Sequence, residues 1–477
     1  MQKLFTHQKN IPNQIAFDEG NDNITYQEFV VQAQSMSNIL QQHANHTSRI
    51  AILMPRGIQA VLSIYATLFL GATYVPLDIQ NPDIRLQFIV RDVQPQCVIG
   101  VGIRPTWLNQ EIPWLDMQFI SCTENTDMSM NHIQADPENI AAILYTSGST
   151  GKPKGVAISY RAIQAFIDWS STVFQINKFD HIASLAPFHF DLSLFDLFTS
   201  LSNGASTYFI PQRLTMSPKN MVDWFEEQSI TTWYTVPSIL SFMTLRGALN
   251  SASLPTFKRI LFAGEVFPLP NLIKLSQALP HVELYNLFGP TETNVCAYWN
   301  VQKDTLDKLD SIPIGIAACS AELHMGDDGE LLVKGPCVMS GYWMQGQVQK
   351  NDSPWYYTGD RVSQDAAQKY FYHGRMDRMI KSSGYRIEPA EIEYHINQYD
   401  GVEASVVIGE DDAISGQRLV AIVTGKDINI QALRKEVKQC VAAYMQPYRF
   451  IKLDCLPYLS NGKLDLQALK HQISEHS

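Results

Sequence analysis

The sequence predicts an α/β fold: a large N-terminal domain of parallel sheets covered by helices, carrying a small β-rich subdomain, and then a small mobile α+β domain. Three observations predict it. Strand-like runs alternate with amphipathic stretches through the first ~300 residues, the pattern of parallel strands joined by crossover helices. Past residue 310 or so, the strands shorten and sit between turns containing Gly and Asp. The chain has 477 residues, 45% hydrophobic and 17% charged, and one core rarely grows past roughly 250–300 residues.

Taken in order, Arg49–Met54 reads as a buried strand and Ile58–Leu70 as a buried helix. That helical run carries Gln59 and Ser63 and is too short to span a bilayer. Gly71–Pro76 is a strand exit, Gln96–Gly100 a strand, and Asn139–Leu144 a strand followed by a helix near Tyr160–Trp169. Further strands are predicted at His181–Ala186, Ala205–Ile210, Thr231–Val236, Arg259–Ala263 and Glu283–Leu287. Glu330–Val333 and Tyr370–Tyr372 supply the β-rich unit. The last hundred or so residues read as helix Pro389–Gln398, strands Glu403–Ile408 and Leu419–Val423, and helix Ile430–Tyr444. A hinge near Gly374–Arg378 divides the chain into residues 1–376 and 377–477.

The net charge of -11, with no compensating Lys/Arg run, argues against nucleic acid as a partner. Seven scattered cysteines (97, 122, 296, 319, 337, 440, 455) contain no C-x-x-C pair and read as reduced intracellular thiols. The first ten residues lack the apolar region of a signal peptide. The expectation is a cytoplasmic protein without a membrane partner.

Chemistry concentrates first in Leu144–Val156, where ten residues are Thr, Ser, Gly, Lys or Pro behind the apolar run Asn139–Leu144. Glycines let the backbone approach a polyphosphate, hydroxyls and amides donate hydrogen bonds, and lysines supply charge. It is not a Walker A loop: only Ser149 and Thr150 separate Gly148 from Gly151, and Pro153 hinders a following helix. Asn286-Leu-Phe-Gly-Pro-Thr-Glu-Thr293 follows a strand; Phe288 offers a flat face for a base and Glu292 a hard oxygen ligand suited to Mg²⁺. Tyr357-Thr-Gly-Asp360 sets a carboxylate on a turn, a common grip for a ribose diol. Gly374-Arg375 and Gly384–Glu388 add cations near the hinge, and Pro457–Lys463 puts a lysine after Asn-Gly on a tight turn. Singly, Glu292 reads as a solvated turn residue, Asp360 as a turn cap and Lys463 as a surface lysine; their order along the chain carries the argument.

In that order the chain resembles the adenylate-forming superfamily of peptide-synthetase adenylation domains, acyl-CoA synthetases and luciferases, over nearly its whole length. Ile24–Glu28, Gly71–Asp78, Phe190-Asp-Leu-Ser193, Gly329-Glu-Leu331, Gly341-Tyr342 and Ile380–Glu388 extend the match; Ser383 departs from it, since arginine is usual in the peptide-synthetase members. The resemblance implies a ligase that uses ATP and Mg²⁺ to form an acyl-adenylate and pyrophosphate, then passes the acyl group to a thiol. It assigns Thr146, Ser147, Gly148, Ser149, Thr150 and Lys154 to the phosphates. Gly264, Asn286, Phe288, Thr291, Asp360, Tyr372 and Arg375 go to the rest of the nucleotide, and Glu292 to Mg²⁺. Lys463 bridges the substrate carboxylate and α-phosphate, and Asp377 is the hinge. Glu292, Thr146 and Lys463 form the catalytic set.

In family members acting on α-amino acids, an aspartate in the position of Asp191 pairs with the substrate ammonium. The pocket that the resemblance assigns is Asp191, Leu192, Phe195, Tyr234, Leu261, Ala263, Leu287, Val295, Cys296 and Lys463. Apart from Asp191 and Lys463 it holds no charge, so a polar side chain would be left unpaired. The set is similar to that of stand-alone prolyl-adenylating enzymes of pyrrole and alkaloid pathways such as anatoxin-a biosynthesis, with Phe195 where leucine is usual. L-Proline is the expected substrate. D-Alanine is the alternative, disfavoured because ligases for it usually carry cysteine where this chain has Ala263. No phosphopantetheine site follows Lys463, so a separate acyl or peptidyl carrier protein is the expected acceptor. An acyl-CoA synthetase should lack the Asp191 carboxylate, and an inactive scaffold should have lost Lys463, Glu292 or Asp360.

Overall fold

The computed structural model describes residues 2–119, 135–148, 151–250, 253–350, 352–412, 414, 416–457 and 464–475. Among them, two large sheets build the N-terminal part. The eight-stranded sheet runs in the order Gln347–Gln349, Gly341–Met344, Lys154–Ser159, Ile140–Thr146, Thr73–Leu77, Arg49–Leu53, Cys97–Gly100, Trp114–Asp116. Its last five strands are mutually parallel. The thirteen-stranded sheet has a parallel centre of Glu283–Phe288, Arg259–Phe262, Thr232–Thr235, His181–Ser184, Ser206–Phe209 and Ile15–Asp18. Antiparallel strands, including Tyr356–Gln364 and Tyr370–Arg375, extend it toward the β-rich unit. This is the predicted fold class.

Local chemistry explains the elements. Helix Tyr26–Leu40 starts at a capping box, with Thr25 Oγ1 accepting from the Glu28 N–H and the Glu28 carboxylate from the Thr25 N–H; the Ile24–Glu28 motif is thus a helix start. Helix Ile58–Phe69 is buried on nearly every face, as its largely apolar sequence requires, with Gln59 its exposed residue. Among the strands not foreseen, one shapes the site. Lys154–Ser159 turns back on Ile140–Thr146 in antiparallel register, with Thr146 opposite Lys154. Its alternating Val-Ala-Ile is hidden in sequence behind Pro153 and Gly155. The expected phosphate loop therefore joins two paired antiparallel strands, and helix Tyr160–Phe174 follows the second of them.

The C-terminal piece has cores of its own. Ile380, Ile387, Ile392, Ile396, Val407 and Leu419 belong to one cluster. It is built on strands Val402–Asp412, Gly416–Gly425 and Arg449–Lys452 with helices Pro389–Ile396 and Ile430–Cys440. A short hairpin, Ile380–Ser382 with Tyr385–Ile387, projects from it toward the large sheets. Among the described residues no helix is long and apolar enough to cross a membrane.

Candidate active site

Parallel strands deliver ligand groups at their carboxyl ends, and here Thr232–Thr235, Arg259–Phe262 and Glu283–Phe288 bring Tyr234, Leu261, Ala263, Gly264, Leu287 and Phe288 to one edge. Gly289 is needed there: a Cβ on it would lie 1.6 Å from the Asn294 carbonyl oxygen.

Asp191 is 7% exposed and shares a cavity of about 50 Å³ with Leu192, Tyr234, Ala263, Gly264, Thr291, Val295, Asp360, Arg375, Lys381 and Arg386. Burial, and then the negative charge of Glu292, push its carboxyl up to about 6, although backbone N–H groups and Thr291 hydrogen-bond to it. Phe195, Leu261, Leu287 and Cys296 are fully buried but form the layer behind this cavity; Phe195 meets the Tyr234 ring edge-on at 5.9 Å. Burial raises the Cys296 thiol beyond ordinary ionisation.

Glu292 is fully buried and heavily partnered. Tyr342, opposite Val156 on the neighbouring strand, donates its hydroxyl to Oε1 at 2.7 Å. Arg386 Nη1 reaches both carboxylate oxygens at 2.9 and 2.8 Å, and Lys154 Nζ stands 3.5 Å away. Burial alone would raise its pKa; Arg386 and then Lys154 outweigh it and hold the carboxyl at about 2. Burial draws the Lys154 ammonium down, against the pull of Glu292.

The nucleotide set is also brought together. Asp360 lies opposite Arg375 across its strand pair, with Nη1 3.0 Å away, and Arg375 Nε donates to Asp377, the expected hinge, at 2.9 Å. The rings of Phe288 and Tyr372 are 5.7 Å apart. The ammonium of Lys381 faces both rings from one side, 5.2 and 5.1 Å from the ring centres. The Asn286 amide donates to the Pro313 carbonyl at 2.8 Å.

In the phosphate loop, Gly148 permits a tight turn: a Cβ there would lie 1.9 Å from the Lys152 carbonyl oxygen. Thr146 Oγ1 is buried without a hydrogen-bond partner among the described residues. Ser147 Oγ donates to the Arg386 carbonyl at 2.8 Å and accepts from the Glu388 N–H at 3.1 Å. Ser149, Thr150 and Lys463 lie outside the described residues.

The sequence reading noted cations near the hinge without giving Lys381 and Arg386 a destination. It also passed over Glu265, which accepts from the Ser238 and Gly384 N–H groups at 2.8 and 2.5 Å. The missed signal was a charge within a buried pattern: Arg85 shares a helix face with Ile89, and both are buried.

Family comparisons agree with this geometry. Residues 4–343 match the AMP-binding enzyme family and residues 391–463 the AMP-binding enzyme C-terminal domain. The chain belongs to the AMP-binding enzyme family. More particularly, it is similar to an L-proline--[L-prolyl-carrier protein] ligase of Streptomyces coelicolor, 33% identical over 94% of this chain and 92% of the relative. A D-alanine--D-alanyl carrier protein ligase of Staphylococcus haemolyticus is 27% identical over 97% of both chains. A Vibrio cholerae adenylation domain in complex with glycyl-adenosine-5'-phosphate shares the fold, with TM-score 0.86 and 23% identity over 99% of this chain and 97% of that one.

Proposed function

We propose that this enzyme activates L-proline with ATP, releasing pyrophosphate, and passes the prolyl group to the phosphopantetheine thiol of a separate carrier protein. One observation carries the amino-acid part. Asp191 is a buried carboxylate whose raised pKa is set by burial and Glu292, and it shares with Leu192, Tyr234, Ala263 and Val295 a cavity that Arg375, Lys381 and Arg386 also line without an ion pair to Asp191 among the described residues. A substrate ammonium supplies the missing charge, and a compact apolar ring leaves nothing unpaired. The 33% identity to a proline ligase, against 27% to a D-alanine ligase, supports proline.

In the first half-reaction the proline carboxylate attacks the α-phosphorus of ATP, and the bond to the pyrophosphate oxygen breaks. The protein's part is positioning and charge stabilisation. Asp191 holds the ammonium; Thr146 to Thr150 and Lys154 wrap the outer phosphates; Asp360 holds the ribose, with Arg375 beside it; Phe288 and Tyr372 flank the base. Lys463 neutralises the meeting point of carboxylate and α-phosphate. In the second half-reaction the carrier thiol attacks the prolyl carbonyl and AMP leaves. Mg²⁺ fits Glu292, a hard oxygen beside the phosphate loop. This ion needs only one or two carboxylates, with water and phosphate completing its shell; among the described residues there is no cluster of three or more His, Cys, Asp or Glu. When bound it would offset charge on the phosphates. Because Arg386 now covers both Glu292 oxygens, the small domain, residues 377–477, has to swing away about Asp377 before ATP enters. Free thiols such as Cys440 and Cys455 and a need for ATP fit a cytoplasmic enzyme.

The test is ATP–pyrophosphate exchange across all amino acids. L-Proline should give the strongest signal; a clear preference for D-alanine would replace it as substrate.

A further inference from the structure

The two domains also meet through a charge pair that the proposed chemistry does not use. Arg85 lies on the buried face of helix Asp83–Val93, and Glu391 in the first turn of helix Pro389–Ile396. Arg85 Nη1 pairs with Glu391 Oε1, and the side chains are 3% and 2% exposed. The other carboxylate oxygen of Glu391 accepts the N–H of Gly148 at 3.3 Å. Ser147 is tied to the backbone of Arg386 and Glu388. A Cβ placed on Gly151 would lie 3.1 Å from Tyr394 Cβ and 3.4 Å from the Ala390 carbonyl oxygen. Three residues of the phosphate loop therefore rest on residues 386–394 of the small domain.

A loop N–H that serves a phosphate cannot serve Glu391 as well, because two anions would have to share it. A carboxylate this deeply buried also needs a counter-charge, and removing one partner of such a pair leaves the other uncompensated. Glu391 reaches Gly148 because Arg85 is beside it, and Arg85 is itself near Asp78 and Tyr444. We propose that Arg85 is a positioning residue for the thioester-forming half-reaction: by neutralising Glu391 it lets the small domain dock on the phosphate loop, in an orientation open only once the outer phosphates have gone. This rests on the two-step reading above. Arg85 touches none of the reacting groups; it acts through Glu391.

The test separates the half-reactions in the full chain. L-Proline-dependent ATP–pyrophosphate exchange reports adenylation, and prolyl-thioester formation on pantetheine reports transfer. Arg85→Met, which keeps an aliphatic stem, should leave exchange within about twofold and the KM for ATP no higher, while transfer falls about tenfold or more. In Arg85→Met/Glu391→Gln the neutral amide can still accept the Gly148 N–H without a counter-charge, so transfer should recover most of the loss. A purely structural Arg85 would give equal losses in both half-reactions and no recovery, and that result overturns the inference, as does unchanged transfer in Arg85→Met. Wild-type protein without amino-acid-dependent exchange would instead defeat the two-step reading, and this inference with it.

Discussion

Glu292 and Asp191 are both deeply buried carboxylates, within one composite site, and their surroundings are opposite. Glu292 is enclosed by Arg386, Lys154 and Tyr342, and is held at about 2. Asp191 has hydrogen bonds but no ion pair among the described residues, and burial lifts it to about 6. The protein neutralises the first with its own small domain and leaves the second to a ligand. On the proposed reading the first centre is a place where a protein cation and a metal ion would compete, and the second a place where a substrate cation would complete the charge. The hairpin cations Lys381 and Arg386 extend the contrast. Lys381 faces the rings of Phe288 and Tyr372 and Arg386 covers Glu292, and both line a cavity of about 50 Å³, room for a water or two.

The largest break in this comparison should come from Lys463, the proposed cation for the substrate's other end. Lys463→Ala removes charge stabilisation at the reacting centre, an effect of about 10²–10³ in rate where one such donor is lost. ATP–pyrophosphate exchange should fall by that factor. A rate within twofold of wild type would take Lys463 off the catalytic set.

The next break is Asp191→Ala. Losing one partner of a buried charged pair costs about 2–5 kcal/mol, so kcat/KM for the amino acid should drop by roughly 30-fold to a few thousand-fold. The KM for ATP should stay near wild type, because Asp191 belongs to the ammonium end of the site. A collapse of ATP binding in the same variant would make Asp191 a structural residue.

Much of this was legible in sequence because backbone-dominated motifs announce themselves locally. The run Ile-Ala-Ala-Ile-Leu before a Ser/Gly/Lys loop marks a strand and an anion cradle, and Thr25 with Glu28 marks a helix start. Strand Lys154–Ser159 was not legible, because turn residues at Pro153 and Gly155 mask the alternation that follows. Nor were the contacts of Arg386 on Glu292 and Arg85 on Glu391. Each joins residues about 94 or 306 positions apart through a domain arrangement that no local pattern encodes. Pocket depth was equally hidden: spacing groups Phe195, Leu261, Leu287 and Cys296 with Asp191, but only the folded sheets show that they stand a layer behind it.

The sharpest test of the contrast is that the two carboxylates should affect stability with opposite sign. Glu292 falls from an ordinary 4.5 to about 2; its contribution is fully present above 4.5 and is lost as pH falls through 2. Asp191 rises from 3.8 to about 6; the fold favours its protonated form, so stability is lost as pH rises from 3.8 through 6. Each displacement is worth roughly 3 kcal/mol. At pH 7.5 without ligand, Asp191→Asn should therefore raise the thermal midpoint by a few degrees, while Glu292→Gln lowers it by leaving Arg386 and Lys154 uncompensated. The gain from Asp191→Asn should vanish near pH 4, and the deficit of Glu292→Gln should shrink below pH 4.5. Saturating L-proline should reverse the order at position 191, because the ammonium stabilises only the wild-type carboxylate. Melting curves that move the same way for both variants would mean the two centres are not electrostatic opposites. Asp191 would then lose its standing as the group that waits for a cation.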